Sequence, residues 1–518
     1  SQSCIHHAAK CPVRTAHTSK PTKAYQYLSR PPDPPCQNRS KPENIMLWPW
    51  LCIYAALSAL AAASQFHIDP SAWQNTRYYR TLDLSRSYVK EHALIEITNV
   101  LPQPQDLYVL PVNDGFDAIS SVLHHAVLLA DRRETALVVE LNEGIYAVKL
   151  PYPIAPGSLA ELNAVFVYTD PVAPFPAKIA LEDRQQLLLK LNKFCYSPYV
   201  TNEYSLTFTG LSKGQEMELI DAQSATPNLP EIKARVEKEL RLLTYGPVQA
   251  TIPPYSVHPM GLLYDHNTPL IHAVHLERSF WLPASDVDVV QTEEYYELIN
   301  KGAELKKGYS RGDWMKGRYD MVKDHHALSQ LQFAMDEKAP FYDYYVTDKV
   351  GMVLTHDVTH GHLVVQPRFP LFGGWRYNFT LGWHNSLETF VRRVADEEET
   401  YVALFPLLNS LKDIHYDNVH INFFLPENAE FVNASALLPP GKVLVGHELS
   451  YLDVADGHVK VTLEFKNLID GLADTNVLIK YRYSAASYWR KVSKIAAFVF
   501  TGLMSYYALG LVDLSIKK

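Results

Sequence analysis

Histidine is the residue type that most directly suggests chemistry in this sequence. His356, His360 and His362 lie close together with Asp357, and the pair His325–His326 precedes them. On an extended strand His360 and His362 would share one face, as two zinc ligands could. The spacing matches no recognised metal motif, however, and a chain with 21 histidines has local clusters by chance. We therefore predict no metal site and no cofactor.

The sequence also lacks the motifs that position a nucleophile or a phosphate. It contains no Gly-x-Ser-x-Gly nucleophile elbow, no Walker loop and no glycine-rich dinucleotide fingerprint. A carboxylate pair for glycosyl chemistry stays open, because Asp and Glu are abundant. The acidic run at 396–399 is more simply a solvated loop. We therefore predict no catalytic residue in this chain.

Two asparagines lie in N-glycosylation sequons after residue 65. Asn378 precedes Phe-Thr and Asn433 precedes Ala-Ser, so each could carry a glycan in a secreted chain. The aromatic neighbours of Asn378 could bury it, whereas Asn433 has turn-like surroundings. A third sequon, at Asn38, lies in the N-terminal leader and is expected to be irrelevant.

Composition limits the elements that must position these residues. With 518 residues, 47% of them hydrophobic and 20% charged, the chain is expected to form two or three domains with ample cores. These fractions exclude a wholly disordered chain. A net charge of −8 gives no general attraction to nucleic acid. The aromatic content of 12%, with 32 Tyr, favours β structure.

The N-terminal segments differ from the rest of the chain. Residues 1–45 carry seven Lys/Arg against two acids, a charge of +5, which leaves −13 for the remainder. They show neither a helical nor a strand period, and we interpret them as a leader that is not part of the mature protein. Residues 46–64 form an uncharged apolar run that ends in small residues and predicts a secretory signal peptide. The alternative is a buried apolar helix behind a disordered arm.

A second apolar run, Val492–Val512, has the length that a helix needs to cross a membrane. Together with the signal peptide it predicts a single-pass type I protein, in which residues 490–518 form the transmembrane helix and a short cytosolic tail. The alternative is a buried core helix. Gly502 and Ser505 are small residues at i and i+3 that could allow a close helix contact, with an incidental lipid-facing position as the alternative.

Between these ends the pattern is typical of β-strands. Apolar β-branched and aromatic residues partly alternate with polar ones, and Pro-rich and Asn-Glu-Gly turns separate the runs. We predict a mainly β fold with some helix: a sandwich-like β-rich domain at 65–299, a connector at 300–326 and a second β-rich domain at 327–489. Helices are predicted at Ile232–Leu243 and Ser386–Glu399. No internal repeat is strong enough to claim duplication.

Cysteine usage predicts that no disulfide forms within the region between the two apolar runs. Of the 5 cysteines, only Cys195 lies after residue 64. A lone cysteine has no intrachain partner even in an oxidising compartment. We expect Cys195 to be a small buried hydrophobe.

Several motifs, in order along the chain, resemble those of the ribophorin I family. The most specific is Pro367-Arg368-Phe369-Pro370-Leu-Phe-Gly373-Gly374-Trp375, which is similar to the family's PRFPLFGGW signature. Tyr196-Ser-Pro198-Tyr199 is similar to the family's YSPY, residues 302–311 resemble GAxLKGxFSR, and Asp343-Tyr-Tyr345 with Asp348 and Gly351 follows DxYYRDxIGN. Residues 514–518 resemble LDFSITK.

The resemblance covers residues 65–518 and implies a subunit of the oligosaccharyltransferase complex that is itself non-catalytic. It implies support of complex assembly and of acceptor-polypeptide presentation, while the complex transfers a dolichol-linked oligosaccharide to Asn of Asn-x-Ser/Thr. The implied partners are other subunits, including a multi-spanning catalytic subunit, together with nascent polypeptides and membrane lipid, but no nucleic acid. The implied location is the endoplasmic reticulum membrane, with the bulk of the chain lumenal.

The sequence departs from the family's pattern in two places. Met352 stands where many members have the Asn of a sequon, so no glycan is expected there. The sequence given also ends soon after the second apolar run, whereas animal members continue into a cytosolic helical portion. A role attached to that portion is therefore not expected of this sequence.

The residues themselves leave two other functions open. One is a free-standing type I membrane chaperone or receptor that binds lumenal polypeptides, and the other is a lumenal hydrolase. For the signature we expect a packing or interface role, because its prolines fix φ, its glycines permit unusual turns and Trp375 offers a large anchor. A single Arg368 is a thin basis for binding pyrophosphate. We therefore expect Trp375→Ala to lower stability or complex recovery.

Overall fold

The fold is that of a computed structural model of the chain. It describes residues 69–111, 122–129, 134–135, 137–142, 144–211, 213–219, 225–237, 241–284, 288–319, 325–334, 342–395, 397, 399–449 and 457–511. The predicted leader at 1–45 and signal peptide at 46–64 lie outside the described residues, as does the motif at 514–518.

Strands account for most of the described chain. In the first half they are β1 (Trp73–Asp83), β2 (Val89–Asn99), β3 (Gln105–Pro111), β4 (Val122–Leu129), β5 (Glu134–Thr135), β6 (Leu137–Asn142), β7 (Ile145–Ile154), β8 (Leu159–Tyr168), β9 (Val172–Pro174), β10 (Lys178–Ile179), β11 (Gln186–Asn192), β12 (Val200–Thr209), β13 (Gly214–Met217), β14 (Ala234–Glu237), β15 (Leu242–Ile252) and β16 (Pro259–Asp265).

The second half is built in the same way. Its strands are β17 (Ile271–Trp281), β18 (Val289–Asn300), β19 (Glu304–Leu305), β20 (Leu331–Ala334), β21 (Tyr342–Asp348), β22 (Gly351–Met352), β23 (His356–Thr359), β24 (His362–Val365), β25 (Arg376–Ser386), β26 (Val391–Arg393), β27 (Thr400–Pro406), β28 (Ile414–Leu425), β29 (Glu430–Ala436), β30 (Lys442–Glu448), β31 (His458–Ile469) and β32 (Asn476–Arg482). The helices are α1 (Arg311–Tyr319), α2 (Leu387–Phe390), a 3-10 turn (Asp470–Leu472) and α3 (Ala485–Leu511).

Alternating burial explains why these segments fold as strands. Along β18 and β31, buried side chains alternate with partly exposed ones over most of the strand. A period of two places every second side chain on the same face of a sheet, so one face can enter a core while the other stays polar. The prediction of a mainly β fold with some helix is confirmed.

The two largest sheets repeat one topology. The first has the order β14-β15-β12-β1-β2-β8-β4-β5, and the second, read from its other edge, is β30-β31-β28-β17-β18-β25-β21-β22. Each is centred on an antiparallel hairpin whose first strand pairs in parallel with a later strand: β1 with β12, and β17 with β28. The remaining pairs of both sheets are antiparallel. The repeat is therefore one of strand pairing, which the sequence pattern did not reveal.

Each large sheet packs against smaller sheets to enclose a hydrophobic core. The first core includes side chains of β11 and β16 facing the first large sheet, and the second includes side chains of β24, β27 and β32 facing the second. This sheet-on-sheet packing is sandwich-like. The thiol of Cys195 is buried in the first core, as expected.

The described residues belong to one compact unit, within which the two cores meet. Tyr88 and Val167, from the first half of the chain, pack in the second core. The Tyr88 hydroxyl donates a hydrogen bond to Asp470 at 2.6 Å, and the Ser87 amide donates to Asp413 at 2.6 Å. Since β17 and β18 pair within the second large sheet, residues 271–300 contribute to the second core. The division into domains at 65–299 and 327–489 stays a prediction.

A buried Arg–Glu ion pair lies on the central hairpin of each large sheet. Arg80 and Glu91 lie 2.7 Å apart, and Arg278 and Glu294 lie 2.6 Å apart, with every side chain 4% exposed or less. Glu294 also accepts hydrogen bonds from the Tyr296 hydroxyl and the Asn409 amide. These extra donors compensate for the cost of removing the charges from water.

Both helix predictions in the β region are wrong in large part. Within Ile232–Leu243, residues Ala234–Glu237 form β14 and Leu242 begins β15, because each strand finds backbone partners in the first large sheet. Within Ser386–Glu399, the helix is the single turn Leu387–Phe390, after which Val391–Arg393 pairs with β27. Helical spacing over a short window is overridden when a sheet edge offers backbone hydrogen bonds.

The chain beyond β32 continues into α3, whose 27 residues make it long and apolar enough to span a membrane. At 1.5 Å per residue the helix is about 40 Å long, which exceeds the roughly 30 Å of a bilayer's hydrocarbon. None of its central apolar window is buried against the rest of the described chain. At its N-terminal end, Lys491 pairs with Glu427 at 3.1 Å. A single C-terminal apolar helix of membrane-span length is confirmed, and it begins earlier than Val492.

We predict that Arg278→Ala lowers the free energy of unfolding by about 3–5 kcal/mol, because it leaves the carboxylate of Glu294 buried without its cation. The matched control is Arg482→Ala. Its partner is Glu430 at 3.0 Å, but the two side chains are 51% and 67% exposed, so the loss should be at most about 1 kcal/mol. Denaturant unfolding of both variants in detergent checks this, and equal small losses would contradict it.

Candidate functional site

The signature residues 366–375 form the connection between β24 and β25 and lie against the start of the 302–311 motif. The contact is organised by Asn300, the last residue of β18, whose side chain is fully buried. Its Oδ1 accepts hydrogen bonds from the amides of Leu270 at 3.2 Å and Gly302 at 2.9 Å. Its Nδ2 donates to the carbonyls of His326 and Leu371, both at 2.9 Å. One amide thus joins four chain segments.

The backbone of Asn300 adds to this contact between residues 300–303 and the signature at 366–375, which we call the joint. The amide of Gly374 donates to the Asn300 carbonyl at 2.7 Å, and the Asn300 amide donates to the Trp375 carbonyl at 3.1 Å. The adjacent Gly374 has φ +78°, a conformation that other residues adopt rarely. The signature is therefore held to β18 by paired main-chain hydrogen bonds.

Position 373 requires glycine because its backbone lies very close to the backbone of the 302–311 motif. A Cβ atom at this position would lie 2.2 Å from the carbonyl oxygens of both Gly302 and Ala303. The Ala303 amide in turn donates to Oε1 of the buried Gln185 at 2.7 Å. Gln185 precedes β11, whose side chains enter the first core, and so the joint reaches both cores.

Arg368 connects the signature to a third motif, at 343–351. Its Nε lies 2.5 Å from Oδ2 of Asp348, and its Nη2 donates to the carbonyls of Gly351 and Met352. Burial opposes ionisation of Asp348, but the hydrogen bonds from Arg368 and from the amides of Val350 and Gly351 outweigh it and hold the pKa of the carboxyl below its usual value. The Arg368 guanidinium therefore has its hydrogen-bond partners within the chain.

Aromatic side chains fill the space around the joint. Trp375 is half-buried and packs edge-on against Tyr309, Phe369 and Phe372, with ring centroids 5.4–5.7 Å apart. Phe372 also contacts Trp314 of α1 and the stacked pair His325–His326. Edge-to-face contacts of this kind add to the area buried. Trp375 is therefore an anchor within the chain.

The fourth motif, Tyr196-Ser-Pro-Tyr199, lies apart from this joint in the first core. The hydroxyl of buried Tyr199 accepts a hydrogen bond from the Val109 amide at 3.1 Å, and its ring lies 4.9 Å from that of Tyr108. Pro198 is buried beside it. Tyr196 is half-buried and contacts Tyr255. These contacts are those of packing.

Two cavities adjoin the joint. A groove of about 340 Å³ is lined by charges of both signs, including Lys349, Arg368 and Arg376 with Asp348 and Glu297. A larger cavity, of about 860 Å³, lies beside α1 and is lined by the segments 181–184, 267–269 and 327–330. Its volume is in the range of small-ligand pockets. The groove can attract an anion only through Lys349 and Arg376, because Arg368 is already paired.

The histidines singled out from the sequence do not gather around one point. Nδ1 of His356 donates a hydrogen bond to the Val353 carbonyl at 2.6 Å, and Nδ1 of His362 donates one to the His360 carbonyl at 3.1 Å. His360 itself is exposed in a turn at φ +50°. His325 and His326 stack in the aromatic cluster instead.

A different set of ligand atoms does converge, and the sequence analysis missed it. Nδ1 of His272, Nδ1 of His415 and a carboxylate oxygen of Asp417 lie within 4.8 Å of one another. Burial, followed by the nearby His272, lowers the pKa of His415 to about 4. His272 and His415 are 143 positions apart in the chain, so no local spacing could have revealed them.

The predicted glycan and helix-contact residues lie at the surface to different extents. Asn378 is half-buried on β25, where its Nδ2 donates to the Tyr295 hydroxyl at 3.0 Å. Asn433 is exposed on β29, an edge strand, where turn-like surroundings had been expected. Gly502 and Ser505 are exposed on α3, and a Cβ at Gly502 would meet nothing within 4 Å. Occupancy of the sequons and contact at Gly502 stay predictions, with Asn433 the more accessible acceptor.

We predict that Gly373→Ala destabilises the protein by about 1–3 kcal/mol or more, because the added methyl group must displace the 302–303 backbone. Gly308→Ala in the facing motif is the matched control. A Cβ at Gly308 meets nothing within 4 Å, so the change in unfolding free energy should stay within about 0.5 kcal/mol. Thermal and denaturant unfolding compare the two, and equal stability would show that the close approach is not rigid.

Burial and the neighbouring His325 lower the pKa of His326 to about 4. Below about pH 6.5 the imidazole is protonated in the unfolded state but stays neutral in the folded state. The free energy of unfolding should therefore decrease as the pH falls from about 6.5 towards 4. We predict that His326→Phe removes on the order of 3 kcal/mol of this pH dependence. Unfolding measured at several pH values checks this, with His447→Phe, at an exposed position, as the control. Parallel pH profiles for wild type and His326→Phe would contradict the prediction.

Comparison with known proteins agrees with the motifs. The family model of Ribophorin I matches residues 73–510. The chain is similar to dolichyl-diphosphooligosaccharide–protein glycosyltransferase subunit 1 of Caenorhabditis elegans, with 25% identity over 407 residues, 77% of this chain and 65% of that protein. The corresponding subunit 1 of Schizosaccharomyces pombe is 24% identical over 454 residues, 86% of this chain and 95% of that protein.

Other similarities are more partial. Subunit 1A of Arabidopsis thaliana is 25% identical over 355 residues, which cover 66% of this chain and 52% of that protein. The chain thus spans less than two thirds of the length of the nematode protein and of plant subunit 1A. Among solved structures, yeast LTA4 hydrolase aligns over 40% of this chain and 32% of that chain, with 9% identity and a TM-score of 0.26, too low to support any conclusion. The family match over most of the described residues settles the assignment: the chain belongs to the ribophorin I family, as its motifs predict.

Proposed function

We propose that this chain is a non-catalytic subunit of an oligosaccharyltransferase complex in the endoplasmic reticulum membrane. There it supports assembly and presents acceptor polypeptides while the complex transfers a dolichol-linked oligosaccharide to Asn of Asn-x-Ser/Thr. The proposal is supported by the family and by the names of the relatives, each of which is a subunit 1 of the dolichyl-diphosphooligosaccharide–protein glycosyltransferase. Its partners would be the other subunits, including a multi-spanning catalytic subunit.

The observation that carries the non-catalytic role is the use of the signature side chains within the chain. Arg368 is paired with Asp348, Trp375 packs on its aromatic neighbours, and the Asn300 amide has partners for all of its polar atoms. A site that binds pyrophosphate or a sugar would instead keep such groups free for the ligand. The signature therefore favours a structural or interface role.

Two exposed elements favour an assembly role. Helix α3 presents apolar side chains such as Phe498 and Leu503 outward, which suits membrane lipid and neighbouring helices. Strand β30 ends the second large sheet, and all seven of its residues are exposed. An open edge strand can pair with an extended polypeptide through its main chain. With the β cores on the lumenal side of a single type I span, such a strand would face nascent chains.

The direct test is to extract the protein in mild detergent and to identify what purifies with it. We predict stable recovery with a multi-spanning glycosyltransferase subunit, and lower recovery for Trp375→Ala because its three aromatic contacts are lost. Trp375→Phe is the matched control, since it keeps a ring in the same place and should restore recovery.

Two outcomes would contradict this proposal. A lone monomer would favour a free-standing membrane chaperone or receptor, and transfer or hydrolysis by the isolated chain would favour an enzyme. Unchanged recovery and stability of Trp375→Ala, with impaired glycosylation of a reporter sequon, would assign the signature to substrate binding instead.

A further inference from the structure

Three potential metal ligands meet at the start of the parallel strand pair in the second large sheet. His272 is the second residue of β17 and His415 is the second residue of β28, and the two are direct partners in the register. Asp417 follows His415 by two residues, which places both side chains on one face of the strand. Parallel pairing therefore brings all three side chains to one side of the sheet.

The distances between the ligand atoms fit one cation. Nδ1 of His272 lies 3.0 Å from Nδ1 of His415, and Oδ1 of Asp417 lies 3.2 Å from the His415 nitrogen and 3.8 Å from the His272 nitrogen. A tetrahedral zinc ion, with ligands at about 2.0–2.1 Å, separates neighbouring ligand atoms by about 3.3–3.4 Å. The three atoms therefore span one face of such a tetrahedron.

Burial makes the arrangement costly without a cation. The His272 and His415 side chains are 2% and 3% exposed, and Asp417 is 31% exposed. When both rings are neutral, at most one proton lies between the two Nδ1 atoms. The other Nδ1 lone pair and the Asp417 carboxylate are then both acceptors for that one proton. Nε2 of His415 has no hydrogen-bond partner among the described residues, and it would carry the ring proton when Nδ1 binds a metal ion. A metal ion accepts the lone pairs of both rings at once.

We propose that Nδ1 of His272, Nδ1 of His415 and the carboxylate of Asp417 bind one divalent transition-metal ion, with Zn²⁺ the best match to two imidazoles and one carboxylate. The fourth position is open to a water molecule from the side of the partly exposed Asp417. The ion would fix the first residues of β17 to those of β28. It would do so close to the Lys301–Asp170 ion pair, which joins the two halves of the chain at 2.7 Å.

The same strands provide a natural comparison. His275 of β17 and His420 of β28 also pack edge-on, with ring centroids 4.8 Å apart, the same separation as for His272 and His415. Among the residues that the structure describes, this second pair has no third His, Cys, Asp or Glu atom within reach. Asp417 therefore distinguishes the proposed site from a site with two histidines and no third ligand.

The test measures metal in the detergent-extracted complex that contains the full chain. Elemental analysis after purification without chelator should find one more zinc per complex in the wild type than in His415→Gln or Asp417→Asn. After removal of metal by EDTA, titration with ZnCl₂ should give a dissociation constant at least tenfold weaker for Asp417→Asn. His420→Gln is the matched control and should behave like the wild type.

A second readout separates metal binding from folding. Because Asp417 is partly exposed, Asp417→Asn should unfold at the wild-type temperature when no metal is present. Added ZnCl₂ should then raise the unfolding temperature of the wild type and of His420→Gln but not that of Asp417→Asn. Equal zinc content in all four proteins, or no response of the wild type to ZnCl₂, would overturn the proposal and leave a buried His–His hydrogen bond in its place.

Discussion

A buried primary amide has two N–H donors and a carbonyl oxygen with two lone pairs, and each group left without a partner costs roughly 1–3 kcal/mol. Asn300 meets this constraint in full, with two hydrogen bonds donated and two accepted. Every one of its partners is a main-chain group, so the amide fixes backbone positions and not side-chain choices. The placement of the signature, of the 302–311 motif and of the segment around His326 depends on this one side chain.

The joint is one of several contacts that connect the two halves of the described chain, together with the Tyr88–Asp470 and Ser87–Asp413 hydrogen bonds. Each has its own large sheet, its own core and its own buried Arg–Glu pair on the central hairpin. Gln185 extends the joint into the first half, since its Oε1 accepts from Ala303 while its Nε2 donates to the carbonyls of His266 and Thr268. The proposed assembly role would gain from two cores held in a fixed relation. The signature contributes to that rigidity.

The sequence predicts what depends on local pattern. The alternation of apolar and polar residues predicted the strands, and the length of the last apolar run predicted α3. The helix expected at Ile232–Leu243 failed because a four-residue strand found partners in β15, a non-local effect that propensity does not contain. No local pattern marks Arg278 and Glu294 as a buried pair, because the sheet brings together Arg278 from β17 and Tyr296 and Asn409 as partners of Glu294. The His272, His415 and Asp417 cluster depends on strand register, which places residues from distant parts of the chain side by side. The motifs indicated the family, but only the fold revealed that three of them meet around Asn300 and Arg368.

The most direct test of the account is hydrogen exchange at the signature in the detergent-extracted complex. The amides of Leu371, Gly374 and Trp375 all donate hydrogen bonds to carbonyls within the chain. If the signature is a structural joint, a peptide covering 366–378 will exchange slowly, and to the same extent with or without an acceptor peptide that contains a sequon. Rapid exchange that slows only when the acceptor peptide is added would contradict the account, because the segment would then be ordered by substrate and not by Asn300.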